Sequence, residues 1–130
     1  MREVLPEGAI SLTVPADKSM MLVIRLTTAG VLARARLTVD AIDDVKMAVE
    51  EACTLMISQQ CPPDALCVEF LRGEHALEIH VHATAGRPCL CGMDPAELEV
   101  VRSILGSLTD AAQIDCADGR IRNILLTKEL

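Results

Sequence analysis

Aromatic residues are almost missing from this chain. Of its 130 residues only Phe70 is aromatic, and there is no Trp or Tyr. Proteins that bind single-stranded nucleic acid stack bases on aromatic rings, so the shortage argues against that role. The charge agrees, because 12 basic and 19 acidic residues give a net charge of −7, whereas phosphate neutralisation requires a basic surface. We expect no direct nucleic-acid partner.

Long apolar runs and a secretory signal are also missing. No run approaches the roughly 20 apolar residues that span a bilayer, and the opening segment Met1–Gly8 is too charged and short for a signal peptide. A chain of this length buries enough surface to fold without disulfides. We therefore expect one domain, residues 1–130, that is cytoplasmic and makes no membrane contact. Its six cysteines are expected to be reduced; they are Cys53, Cys61, Cys67, Cys89, Cys91 and Cys116.

Hydrophobic periodicity predicts five strands and three helices. Alternating patterns mark the strands, at residues 9–14, 66–71, 76–82, 111–116 and 121–127. Helical patterns run from about residue 20 to 35, 40 to 60 and 94 to 108. Short turns between strands predict hairpins. The expected fold class is α/β: a two-layer sandwich with a mainly antiparallel mixed sheet that three helices cover on one face.

Four elements carry specific predictions about which side chains are buried. The first strand should turn Ile10, Leu12 and Val14 inward, and the strand at residues 76–82 should turn Leu77, Ile79 and Val81 inward. The first helix should bury a stripe made of Met20, Val23, Leu26, Thr27 and Val31. The second helix, with Asp40 as its expected N-cap, should bury a stripe made of Ile42, Val45, Val49, Ala52 and Met56. Glu51 and Leu55 lie one turn apart on the flank of that second stripe.

Seven stretches, taken together and in order, carry a resemblance to a known family; they are residues 11–16, 24–27, 42–49, 51–54, 77–79, 107–110 and 126–128. They resemble the bacterial anti-sigma factor serine kinases, which belong to the superfamily of gyrase, chaperone, histidine-kinase and MutL ATPases. The resemblance implies the same two-layer sandwich, serine/threonine protein kinase activity, homodimer formation, and binding to a sigma factor or an anti-sigma factor antagonist.

The chain departs from that family at all three nucleotide motifs. In the helix motif E-x-x-x-N, Glu51 is the possible catalytic base, but Leu55 replaces the Asn that holds magnesium, and a leucine offers no oxygen to a hard cation. Ala83 replaces the Asp that accepts a hydrogen bond from the adenine amino group. Glu99 and bulky neighbours replace the glycine-rich turn, so that an anion would be repelled. We therefore expect no ATP or magnesium cofactor and regard Glu51 as a remnant.

The resemblance also indicates where partners would bind. Arg25 matches the first-helix arginine of the family, and a short first strand suits a dimer edge. The main prediction is a regulatory protein that binds a sigma factor or its antagonist without ATP. An active ATP-dependent kinase of the same family with altered motifs is the first alternative.

The second alternative is a metal- or thiol-responsive module on the same fold. His80 and His82 alternate on one strand and share a face, while Cys89 and Cys91 follow in the next loop. Imidazole and thiolate groups are the ligands that zinc prefers. The single-residue spacing of the two cysteines is, however, tighter than the usual two to four residues.

Overall fold

The computed structural model describes residues 8–59, 62–84, 94–117 and 120–130. Five strands and three helices follow one another in the predicted order. They are β1 (Ile10–Pro15), α1 (Met21–Leu32), α2 (Val39–Ile57), β2 (Ala65–Arg72), β3 (Ala76–Thr84), α3 (Pro95–Leu108), β4 (Ala111–Ala117) and β5 (Arg120–Glu129). Among these described residues, no helix is both long and apolar enough to cross a membrane.

The strands form one sheet in the order β1-β2-β3-β5-β4. Every pair of neighbouring strands is antiparallel, so the expected mixed sheet is wrong in this respect. The reason is the path of the chain after β3. Helix α3 carries it past one strand position to β4, and the β4–β5 hairpin then fills the gap with β5. As a result β4 runs parallel to β3 but is separated from it.

The core lies between one face of the sheet and helix α2, with α1 and α3 on either side of α2. The inward residues predicted for β3 are all buried, and so is the predicted stripe of α2 apart from Ile42, which is half-buried. Together these contacts confirm the α/β two-layer sandwich. In β1, by contrast, Val14 is buried but Ile10 is 37% exposed, because Ile10 is the first residue of an edge strand.

The N-cap of α2 is Thr38 and not Asp40. The Thr38 hydroxyl accepts a hydrogen bond from the Ala41 N–H at 3.1 Å, and the helix begins at Val39. Asp40 consequently lies in the first turn, where its carboxylate still interacts favourably with the positive end of the helix dipole.

The buried face of α1 also differs from the prediction. Ile24, Thr28 and Leu32 are buried, whereas Val23 and Leu26 are 41% and 64% exposed. The predicted stripe was wrong because α1 carries apolar residues on both faces. Hydrophobic periodicity alone does not show which of the two faces is buried. Thr28 tolerates burial because its hydroxyl donates to the Ile24 carbonyl at 2.8 Å. Helix α1 therefore leaves an apolar face outside the core.

Two methionines of α2 provide a matched test of this packing. Met56 is fully buried, whereas Met47 is 52% exposed. We expect Met56→Ala to lower the free energy of unfolding by about 2–5 kcal/mol through lost burial and a residual cavity. Met47→Ala should change it by less than about 0.5 kcal/mol. Urea unfolding followed by circular dichroism measures both, and equal losses would contradict the assigned orientation of α2.

Cys53 lies on the buried side of the same helix. Burial, together with a smaller effect of the nearby Glu50 carboxylate, raises the pKa of its thiol from 9.0 to about 12. The folded state thus favours the neutral thiol, whereas the unfolded chain ionises near the ordinary pKa. The resulting contribution to stability is complete below about pH 9 and is lost as the pH rises toward 12.

We therefore expect wild-type protein to lose stability between pH 9 and 11 more steeply than Cys53→Ala. The difference in slope should approach, but not exceed, about 1.4 kcal/mol per pH unit. Cys116→Ala is the control, because Cys116 lies exposed on an edge strand, and it should alter the slope less. Urea unfolding at several pH values is the measurement. Equal slopes for wild type and Cys53→Ala would show that burial does not oppose ionisation of this thiol.

Candidate functional site

A cavity between α2 and α3 contains the position where the family would hold its metal. Leu55 of α2 lines this cavity of about 460 Å³, and the other lining residues belong to the first two turns of α3: Ala96, Glu97, Val100 and Val101. Glu51 precedes Leu55 by one turn on the same side of α2 and is exposed. The structure thus places the two residues of the expected motif side by side, facing α3.

The lining of this α2–α3 cavity does not suit a nucleotide phosphate. Four of the five lining residues are aliphatic, and the fifth, Glu97, is a carboxylate. The start of α3 offers little compensation. The Asp94 carboxylate already accepts from the Ala96 N–H at 2.9 Å, and Pro95 has no N–H to donate. Negative charge at a helix N-terminus occupies the position that a phosphate would otherwise use.

Glu99, which the sequence places in the nucleotide motif, lies on the other side of α3. It forms an ion pair with Arg102 and lines a smaller cavity of about 240 Å³ beside Ile114 of β4. Glu97 is the acidic residue that faces Leu55 instead, and sequence reasoning missed it. Helical spacing could have found it, because Glu97 and Val101 are four residues apart and share the α2 side of the helix.

Ala83 lies near the end of β3, opposite Leu66 of β2, and is half-buried. Its methyl group can neither accept nor donate a hydrogen bond. The remainder of the motif that Ala83 opens, residues 85–87, lies outside the described residues. At the Asp position of this motif, therefore, the Ala83 side chain cannot pair with an adenine amino group.

Arg25 lies on α1, on the opposite side of α2 from the cavity. Its side chain is half exposed and forms an ion pair with Glu50 of α2. Leu22, Val23 and Leu26 of the same helix are also exposed, and we call these four residues of α1 the α1 surface. Glu50 and Glu51 are consecutive, so they point about 100° apart around the helix axis. One glutamate thus meets the α1 surface while the other borders the cavity.

The two histidines considered for metal binding lie on the sheet face away from the helices. Their rings stack with centroids 5.7 Å apart. The His82 Nε2 lies 3.2 Å from a Glu69 carboxylate oxygen, whereas the His80 Nε2 lies 3.7 Å from Glu78. Cys89 and Cys91 are outside the described residues. Within the described ranges, no group of three or more His, Cys, Asp or Glu side chains is placed to hold a metal ion.

Comparison with known sequences finds relatives that are named serine-protein kinase RsbW. Serine-protein kinase RsbW of Halalkalibacterium halodurans is 46% identical over 57 residues, which are 44% of this chain and 35% of that protein. Serine-protein kinase RsbW of Bacillus thuringiensis is 36% identical over 74 residues, 55% of this chain and 46% of that protein. The chain thus matches less than half the length of either relative. No protein-family model matches.

Comparison with solved structures extends the likeness to nearly the whole chain. The crystal structure of the RsbU and RsbW domains of Rv1364c from Mycobacterium tuberculosis matches 95% of this chain and 32% of that one. The TM-score is 0.72 at 17% sequence identity. At this low sequence identity, the structural match establishes the fold alone. The similarity to RsbW proteins comes from the sequence matches. Together they show that part of this sequence is similar to RsbW proteins and that the chain shares the fold of a structure containing an RsbW domain.

Proposed function

We propose that this protein is an anti-sigma-factor-like regulator that binds a sigma factor or an anti-sigma factor antagonist without binding ATP. The observation that supports it most directly is the chemistry of the α2–α3 cavity. Leu55 occupies the metal position, and the lining is aliphatic apart from Glu97. The names of the two RsbW relatives describe serine-protein kinases. The proposal retains the partner binding that the resemblance implies and leaves out the kinase reaction.

Phosphoryl transfer needs a metal ion and positive groups that neutralise the transferred phosphate. Magnesium is held by oxygen ligands, and Leu55 supplies none. Without a cation, Glu51 and Glu97 would repel a triphosphate across the cavity. Glu51 then has no bound substrate from which to take a proton, so we assign it a place on the cavity border and no catalytic role.

The α1 surface is the proposed binding site for the sigma factor or antagonist. Leu22 and Leu26, one turn apart, are 57% and 64% exposed, and clustered exposed apolar side chains are typical of protein interfaces. Arg25 lies on the same helix beside them, and arginine is enriched among residues that dominate binding energy. Its pairing with Glu50 orients the guanidinium on the surface. Such a regulator would act in the cytoplasm, where sigma factors work.

A homodimer is a further part of the proposal. In the described sheet, β1 pairs only with β2, so its outer edge carries backbone groups that a second copy could pair. The strand is short, six residues, and its outermost apolar residue, Ile10, is partly exposed. Both features are compatible with an edge that is covered on association.

The nucleotide part of the proposal is tested by isothermal titration calorimetry with ATP and magnesium. We expect no heat beyond dilution for wild type and none for Glu51→Gln, because neither carries an oxygen at position 55. Cooperative urea unfolding of the same samples verifies that they are folded. Micromolar, magnesium-dependent binding by wild type would overturn the proposal and favour the active kinase.

The partner part is tested by biolayer interferometry against the sigma factors and anti-sigma antagonists of the source organism. We expect Arg25→Ala to weaken binding at least about tenfold, as for a central interface arginine. Arg36→Ala is the matched control, since Arg36 is also exposed but lies beyond the end of α1, and it should stay within about twofold. Identical binding by wild type and Arg25→Ala to every partner found would remove the α1 surface from the proposal.

A further inference from the structure

The α2–α3 cavity continues as an apolar strip along α3. Val100 and Ile104 are one turn apart and remain 60% and 45% exposed. With Ala96 they share the side of α3 that faces Leu55, and the strip from residue 96 to 104 is about 12 Å long. We call Leu55, Ala96, Val100, Val101 and Ile104 the α2–α3 groove. A folded protein rarely leaves such a strip uncovered without a use for it.

Acidic side chains lie at this groove on both helices. On α2, Glu51 precedes Leu55 by one helical turn and is exposed. On α3, Glu97 lines the cavity itself. The ligand that suits this environment is apolar along its centre and positively charged along its sides.

We propose that the α2–α3 groove binds a basic amphipathic helix of a partner protein. Apolar side chains spaced one turn apart on that helix would insert between Leu55 and Val100, in the mode of helix-in-groove recognition. Its lysines or arginines would lie against Glu51 and Glu97. The elongated strip favours a helix over a compact small molecule, because a compact ligand would fill the cavity and leave Ile104 uncovered. The inference rests on the proposed loss of ATP, since a nucleotide would occupy the same space.

The apolar contacts and the charges have separate roles in this proposal. Insertion into the cavity supplies affinity, because buried central anchors carry most of the binding energy of an interface. The exposed carboxylates contribute mainly to selectivity and to the rate of association. Binding should consequently weaken as salt is added, but should not vanish.

The test uses two designed helical peptides of about 14 residues with identical leucine positions, one flanked by lysines and the other by glutamates. Methyl-labelled wild-type protein is titrated with each and followed by NMR. We expect the lysine peptide to perturb the methyl groups of Leu55, Val100, Val101 and Ile104. The glutamate peptide should bind at least about tenfold more weakly, because each of its charges meets a like charge.

Two variants with the same change of charge separate insertion from simple attraction. Val100→Asp should weaken the lysine peptide at least about tenfold, although the added carboxylate would strengthen purely electrostatic binding. Leu26→Asp on the α1 surface, where Leu26 is 64% exposed, should leave affinity within about twofold. Glu97→Lys should cost about three- to fivefold, and the exposed hairpin residue Glu74 gives the control Glu74→Lys, expected to have no effect.

Several results would overturn the groove proposal: no binding of the lysine peptide up to millimolar concentration, equal binding of the glutamate peptide, or greater damage from Leu26→Asp than from Val100→Asp. Titration of the same sample with ATP and magnesium tests the other proposal independently. Shifts at Leu55 caused by ATP would overturn the nucleotide-free function whatever the peptides do. If neither the lysine peptide nor ATP with magnesium shifted any methyl signal, only the groove proposal would be overturned.

Discussion

The burial of one face of α2 against the central strands is the constraint on which the rest of the structure depends. Val45, Val49 and Met56 are fully buried on this face, and lost burial of such side chains costs several kcal/mol each. The rotation of α2 about its axis is therefore not free. Every polar residue of the helix is assigned to a side, with Glu50 toward α1 and Glu51 toward α3. The positions of both candidate binding surfaces follow from that assignment.

The two surfaces differ in physical character although the same helix separates them. Beside α1, exposed leucines surround an arginine that is already paired. Beside α3, the lining of an apolar cavity carries one charged side chain, the carboxylate of Glu97. A nucleotide site needs the reverse of the second arrangement: oxygen ligands for a metal and positive groups for phosphates. The residues that pack the fold together and those that line the α2–α3 cavity are different. The lining of the cavity can therefore change while the packing of the fold stays the same.

The elements of this fold could be predicted from sequence where one face alone is apolar. Strand β3 and helix α2 have this property, and their buried residues were predicted almost completely. Helix α1 lacks it: Val23 and Leu26 are as apolar as the buried Ile24, so only the tertiary contacts select the face. The cap of α2 was misplaced for a related reason, because Thr38 and Asp40 are both good capping residues. The order of the strands depends on contacts between distant segments, and no local pattern contains it.

In the candidate site, too, some features follow from local sequence spacing, whereas others depend on how the helices pack. The pairing of Glu51 with Leu55 follows from helical spacing, and the structure places both beside α3. Glu99, which the sequence places in the nucleotide motif, lines the smaller cavity beside Ile114, and that placement depends on the rotation of α3. That rotation is set by Leu105, which is fully buried, and it brings Glu97 to the α2–α3 cavity instead. A shift of two residues along a helix moves a side chain by about 200° around it.

The position of β5 in the sheet has a consequence for how the protein is made. This strand lies between β3 and β4, yet it follows every other described element along the chain. During synthesis, β3 therefore emerges from the ribosome with one edge unpaired, and it stays so while α3 and β4 are added. Open edges of this kind are sites of aggregation, and pairing between distant segments slows folding. Until β5 is made, therefore, the sheet lacks the strand that joins β3 to β4.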